Sequence, residues 1–368
     1  MRALARALSP GLLWARQAIP GVLVAILIAV VARTVAQQLA QGTAGLPKFP
    51  LSPVMCAVVL GMLWRNSIGV PAWATAGLNW TMHRLLRVGI ALVGLRLTLA
   101  GAGAIAVSAL PVALLCLLVA LGGGVAVARA FGVPRRLGQL LAIGTAVCGC
   151  TAVVAMSPVL RARHAETAFA VTCVVLFGCV AMLLYPSLAG HFFAGSPLHA
   201  GVFLGTAIHD TSQVMGAALI YSQQAGAPQA LAAASVAKLL RNLSIALLVP
   251  LGAWLAQRAD GPAAAPAAGA ARPPLVPLFV LAFLGFIVVR TLGDAACGSG
   301  AAWQALVNTG YQGSDLFLTC GMTAVGLSVS FRDMWHIGWR PLASGFVLAV
   351  LVGITSLALN LALWRYVG

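Results

Sequence analysis

Acidic side chains are almost missing from this chain. Of 368 residues only 6 are Asp or Glu, and charged residues of both signs make up 8%. A soluble protein carries roughly 25% charged residues, so this scarcity excludes an ordinary water-soluble fold. No polar stretch is long enough to form a separate soluble domain. There is no Walker-type phosphate loop, which excludes direct drive by ATP bound at such a motif. Eight cysteines occur, yet no pair has zinc-finger spacing. Cys56, Cys116, Cys148, Cys150, Cys173, Cys179 and Cys320 lie in apolar segments, and Cys297 is expected to be exposed. Free thiols, no metal site and no cofactor are the expectation.

What is present is apolar surface. Hydrophobic residues make up 61% of the chain and the mean hydropathy is +1.00. Runs of membrane-spanning length recur from end to end. The pattern predicts an all-α integral membrane protein with about eleven spans, near residues 18–40, 50–65, 82–100, 105–128, 138–160, 166–188, 199–222, 229–257, 276–296, 305–330 and 342–366. Arg2, Arg6 and Arg16 precede the first apolar run. Its cleavage signal is weak, so it reads as an uncleaved span rather than a signal peptide.

Lys and Arg number 22, giving a formal charge of +16. They mostly stand between apolar segments, one to three at a time. That is a topology signal, not a nucleic-acid surface. With the N-terminus in the cytoplasm, thirteen basic residues fall inside and six outside, as the positive-inside rule requires. The awkward outside group is Arg161, Arg163 and His164. A Gly/Pro/Ala-rich stretch at 257–275 reads as a flexible cytoplasmic linker. The expected setting is a plasma membrane with the N-terminus in the cytoplasm, a lipid bilayer around the chain, no nucleic acid, and a homodimer left open.

An internal repeat is expected at an offset of 320 − 148 = 172. Cys148-Gly149-Cys150-Thr151-Ala152-Val153 matches Cys320-Gly321-Met322-Thr323-Ala324-Val325. Setting the first span aside (residues 1–49) leaves two groups of five, residues 50–190 and 191–368. An odd number of spans per unit makes such repeats inverted in the membrane. The expectation is therefore 5+5 inverted repeats, with spans 5 and 10 as a pair of broken, crossing helices.

Ionisable groups at membrane depth are costly and usually functional. Span 7 carries Thr206, His209, Asp210, Thr211, Ser212 and Gln213. Span 8 carries Lys238, Arg241 and Asn242, with Lys238 and Arg241 three apart and so on one helix face. Arg96 stands in span 3 and Asp315 enters span 10. Arg96, Lys238 and Arg241 outnumber Asp210, which favours an anionic substrate. Thr145, Cys148, Gly149 and Thr151 of span 5, Thr323 of span 10 and Asn242 complete the candidate substrate site. His209, Asp210, Gln213 and Asp315 are the candidates for coupling to a proton or sodium. Bland readings stand beside these: helix packing for His209, Asp210 and the threonines, snorkelling for Lys238 and Arg241.

The Gly-Thr-x-x-Cys-Gly motif of span 5 and Ile208-His209-Asp210-Thr211-Ser212-Gln213-Val214 carry a resemblance. So do Lys238-Leu239-Leu240-Arg241-Asn242, Ala324-Val325-Gly326-Leu327 and Gly94-Leu95-Arg96-Leu97-Thr98. Together they resemble the YeiH family of bacterial membrane proteins, commonly labelled sulfate exporters, from about Pro20 to the end. Cys150 and Thr151 depart from that family's more usual Ala and Ser. The family is distantly similar to the bile-acid/sodium symporter fold. The resemblance implies a secondary transporter that exports or exchanges a small anion by alternating access. Two other classes remain: a cation/proton antiporter using Asp210 and Asp315, and a non-transporting membrane sensor or enzyme built on Cys148, His209 and Asp210. The last is disfavoured, because adjacent residues on a helix point about 100° apart. No enzyme activity is expected.

Overall fold

Helices carry the architecture, because in hydrocarbon each backbone N–H and C=O must find its partner within the protein. The computed structural model describes residues 2–41, 52–245, 278–298, 300–330 and 339–367, with positions 247, 248, 251 and 332. The linker expected at 257–275 lies outside the described residues. No strand occurs among the described residues.

The helices are α1 (Arg2–Gln41), α2 (Pro53–Ser67), α3 (Ala72–Trp80), α4 (Leu86–Val93), α5 (Leu99–Ala130), α6 (Arg135–Ala146) and α7 (Cys150–Met156). They continue with α8 (His164–Phe192), α9 (Pro197–Ala207), α10 (Thr211–Ala225), α11 (Gln229–Leu243), α12 (Leu278–Cys297), α13 (Ala301–Ser328) and α14 (Trp339–Val367). A π-helical turn, Thr81–Leu85, joins α3 to α4, and a 3-10 turn, Gly94–Arg96, ends that run. Span 3 therefore begins at Ala72, ten residues before the expected start, and Arg96 marks its end. Five helices among the described residues are long and apolar enough to cross a membrane: Gln17–Leu39, Leu99–Ala130, His164–Phe192, Leu278–Cys297 and Trp339–Trp364.

The chain forms two compact units. The first comprises residues 1–92 and 299–332. Close glycine contacts knit it together. Gly77 of α3 lies against Ala18 and Gly21 of α1. A Cβ on Gly61 of α2 would stand 2.8 Å from the Thr323 carbonyl of α13, and Gly326 returns the contact against Val58. Small residues at a crossing let two membrane helices approach backbone to backbone. α13 is one uninterrupted helix through Cys320–Val325. Span 10 is thus not broken, and the likeness of Cys320–Val325 to Cys148–Val153 has no counterpart in local structure. Thr323 sits within regular helix and returns its hydroxyl to the Thr319 carbonyl at 3.1 Å. Nothing there frees the backbone.

The second unit comprises residues 93–298 and 333–368. Its helix directions follow from contacts. On α5 and α6, Gly124 faces Ala142 and Gly138 faces Ala128, so the two are antiparallel. On α5 and α14, Gly124 faces Leu348 and Gly123 faces Leu351, again antiparallel. On α8 and α14, Cys173 meets Pro341, Phe177 meets Gly345 and Tyr185 meets Gly353, so these run together. α6 and α8 consequently share one direction, and the chain must come back between them. It does so through α7. The Gly149 N–H bonds the Gly144 carbonyl at 3.0 Å, and Val153 packs on Gly144. Span 5 is broken, as expected, but it is a re-entrant hairpin rather than a crossing helix.

The same happens once more. Gly201 faces Ala230 and Gly205 faces Ala234, so α9 and α11 run together. Thr211 of α10 meets Asn242 and Met215 meets Ser235, so α10 returns along α11. Span 7, expected as one helix, is a second re-entrant hairpin. α14 bonds α9 through Ser356 and Thr206 at one level and stacks Trp364 on His199 at another, which makes them antiparallel. The hairpins therefore enter from opposite ends of the unit. At 1.5 Å per residue α6 is about 18 Å long and α9 about 17 Å, near half of a ~30 Å hydrocarbon core.

Re-entry also removes the awkward arginines. Arg161 and Arg163 now fall at the same end as Arg129, Arg135 and Arg136, since α7 carries the chain back there.

Candidate functional site

The two hairpin tips meet. The first is Val147-Cys148-Gly149 and the second Ile208-His209-Asp210. Gly149 has φ +68 and ψ −125, a conformation that side chains disfavour. A Cβ there would also stand 2.9 Å from Asp210 Oδ2 and 3.1 Å from Asp210 Cα. Only glycine lets the tips touch. In the second tip Ile208 and Asp210 are extended, with φ −90 for both. Asp210 is the N-cap of α10. Its Oδ1 accepts from the Ser212 N–H at 2.9 Å and from the Ser212 hydroxyl.

A helix that stops inside a protein leaves its last carbonyls without partners. α11 supplies them. The Gly201/Ala230 and Gly205/Ala234 contacts set α11 beside α9, and one turn further on it presents Lys238 and Arg241 to both tips. Arg241 Nε donates to the Ala146 carbonyl at 3.0 Å, Nη2 to the Thr145 and Ala146 carbonyls at 2.6 Å, and Nη1 to the Thr206 carbonyl. Lys238 Nζ donates to the Val147 carbonyl at 2.9 Å, the Ile208 carbonyl at 3.0 Å and the His209 carbonyl. Neither cation is more than 1% exposed. A buried charge needs compensation, and here backbone dipoles provide it. Each cation lies at the negative ends of two helices, a placement worth up to ~2 kcal/mol per helix end in partly buried sites.

The two tips are alike in sequence at an offset of 205 − 144 = 61. Gly144-Thr145-Ala146-Val147 corresponds to Gly205-Thr206-Ala207-Ile208. The carbonyls of Thr145 and Thr206 are equivalent, and both bond Arg241. The carbonyls of Val147 and Ile208 are equivalent, and both bond Lys238. Pseudo-symmetry in the chain has become symmetry around two cations.

The remaining polar groups are asymmetric. His209 is 1% exposed, and neither ring nitrogen has a hydrogen-bond partner. It is bonded to neither Cys148 nor Asp210, so no nucleophile-base-orienter relay is formed. Asn242 Nδ2 donates to the Thr211 hydroxyl at 3.1 Å, while its Oδ1 lacks a partner. Gln213 Nε2 bonds the Val175 carbonyl at 2.9 Å and Cys179 Sγ at 3.3 Å, and its Oε1 lacks a partner.

The chain matches the family described as "Conserved hypothetical protein 698" over residues 20–345. It belongs to that family. Its relatives are bacterial membrane proteins of the same length class. A UPF0324 membrane protein of Bordetella bronchiseptica is 34% identical over 310 residues, covering 82% of this chain and 90% of the relative. One from Ralstonia nicotianae is 34% identical over 336 residues, 88% of each chain. One from Pseudomonas putida is 32% identical over 357 residues, 95% of each chain. This chain is accordingly a helical bacterial membrane protein.

Of the residues singled out in the sequence, the fold gathers Thr145, Cys148, Gly149, His209, Asp210, Gln213, Lys238, Arg241 and Asn242 at or beside the two tips. Thr151 lies on α7 just past the first tip and is exposed. Arg96 lies half-buried on the 3-10 turn packed against α12. Thr323 and Asp315 belong to α13 of the other unit. The groups that residue-by-residue reading misses are the carbonyls of Thr145, Ala146, Val147, Thr206, Ile208 and His209. A backbone acceptor has no side-chain signature; the Gly-Thr-Ala repeat at offset 61 is the available signal.

Proposed function

We propose that this chain is a secondary transporter of a small anion, working by alternating access. One observation carries the reading: two half-depth hairpins enter from opposite ends and touch at tips that hold two buried cations against one carboxylate. In a transporter, interrupted helices at mid-membrane expose backbone groups and dipole ends to a substrate. The net positive charge of Lys238 and Arg241 over Asp210 favours an anion. Thr145, Cys148, Thr211 and Asn242 would line its path. His209 and Asp210, the titratable groups of the second tip, would couple a proton. Opposite entry of the hairpins is what inverted repeats produce, and it supports two-sided access. The arginine-rich end of the second unit would face the cytoplasm of an inner membrane. The YeiH resemblance makes sulfate the first anion to test.

The test is labelled sulfate flux into proteoliposomes, with and without an imposed pH gradient, for wild type and Asp210→Asn. Gradient-driven flux that Asp210→Asn uncouples supports the proposal. Absence of flux for sulfate, sulfonates and other oxyanions, in folded protein, refutes it.

A further inference from the structure

Lys238 does something more specific than add charge. Its ammonium has three N–H donors and no acceptor. Three acceptors surround it, the carbonyls of Val147, Ile208 and His209, and each takes one donor. A neutral amine has two donors and a lone pair, which would face a carbonyl oxygen. The stoichiometry selects the charged form. The side chain is 0% exposed and makes no ion pair within 4.0 Å among the described residues. It is a cation held by main-chain carbonyls, with the Asp210 carboxylate in the adjacent tip as long-range counter-charge. Such a cage, built from backbone oxygens of interrupted helices, is how proteins replace the water around a monovalent ion.

We propose that the junction of the two tips is a monovalent-cation site of ammonium or potassium size, and that Lys238 occupies it with its own tethered ammonium. Ammonium and potassium are close in size and sodium is smaller, so a cage of three carbonyls that seats an ammonium suits potassium better than sodium. Two of the three carbonyls come from equivalent positions of the two hairpins, so the cation bridges them as a free ion would. The consequence is that the wild-type protein takes no free cation at this place. Sodium coupling through the tips is closed off, and the hairpins stay cross-linked whatever salt surrounds the protein. The inference stands on the hairpin geometry alone; a failure of anion flux leaves it intact.

Lys238→Ala removes the tether and leaves the cage. The melting midpoint of purified protein is measured in choline, sodium, potassium, ammonium and n-propylammonium chloride at equal ionic strength. The expected result is a wild type indifferent to the cation. The variant melts lower in choline, and potassium, ammonium and propylammonium restore it in a saturable way, by about 3–5 °C at a hundredfold excess over Kd. A variant equally unstable in every salt overturns the proposal, as does a wild type with the same cation dependence. A second measurement needs no variant. The chain has only two lysines, Lys48 and Lys238, so the side-chain nitrogen spectrum of 15N-lysine-labelled wild type is simple. One slowly exchanging, protonated ammonium resonance is expected. If folded protein shows none, the cage does not hold an ammonium.

Discussion

The two hairpins are built to the same plan and tipped with different chemistry. Each rises through a Gly-Thr-Ala helix end, and each surrenders equivalent carbonyls to the same two side chains of α11. Beyond that they diverge. The first tip carries Cys148 and Gly149, which are small and uncharged, and its turn depends on a positive φ. The second carries His209 and Asp210, and its turn is made by extended residues followed by a carboxylate cap. The first tip is a steric surface; the second is a titratable one. Shared geometry holds the junction together, and the unshared residues are where selectivity or coupling can reside.

Removing the shared geometry should have the largest effect. Arg241→Ala leaves the Thr145, Ala146 and Thr206 carbonyls buried and unpaired. At roughly 1–3 kcal/mol per orphaned group, softened by relaxation, the expected loss is about 3–5 kcal/mol. It would show as a sharply lower melting midpoint or as loss of folded protein from the membrane fraction. A variant with wild-type stability would mean that the hairpins do not rely on Arg241.

The next test separates strain from contact at the first tip. Gly149→Ala meets both a positive φ and the Asp210 side chain, and should cost about 2–3 kcal/mol. Gly226→Ala is the control. Gly226 has φ +63, and a Cβ placed on it would meet no atom within 4 Å, so only the strain remains, about 1 kcal/mol. Equal costs in chemical or thermal unfolding would argue that the tips do not touch.

At the second tip Asp210→Ala loses the cap on Ser212 and should cost about 1 kcal/mol. Asp210→Asn keeps an oxygen acceptor and should cost a few tenths at most. The two variants should nonetheless impair proton-driven flux alike, because both remove the charge. If Asp210→Asn transports like the wild type, Asp210 is a cap and nothing more.

At His209 no loss of stability is expected. Its ring nitrogens are buried without partners, so His209→Leu should be neutral or stabilising by about 1 kcal/mol. Under the transport proposal it should also flatten the pH dependence of flux. Marked destabilisation would show that the imidazole has a structural partner.

Much of this site is legible residue by residue. Lys238 and Arg241 stand out as cations three apart in an apolar helix, and they do share a face. The Ile208–Gln213 run stands out as polar residues at membrane depth. The break in span 5 is legible from two glycines, Gly144 and Gly149, two threonines, Thr145 and Thr151, and the nearby Pro158 in an apolar segment. The partner break does not lie in span 10, although Cys320–Val325 repeats Cys148–Val153 at every position but Met322, its glycine included. Gly149 aligns with Gly321, and Gly321 packs in regular helix against Leu86. A glycine permits a turn without requiring one. The true partner, at Gly205–Asp210, matches in only a few positions. Its turn also rests on Asp210 capping rather than on glycine, so the two breaks look unlike.

Composition and period therefore determine that this chain is helical, that it lives in a membrane, and which polar groups are expensive enough to matter. These are local properties, set by each residue's transfer cost and by the helix repeat. Whether a broken helix continues across or turns back is decided elsewhere, by Gly124 against Ala142 and by Gly201 and Gly205 against Ala230 and Ala234. Those contacts join residues far apart in the chain, and no window of sequence contains both sides. Only the tertiary fold could bring two tips together and hand their carbonyls to one lysine and one arginine.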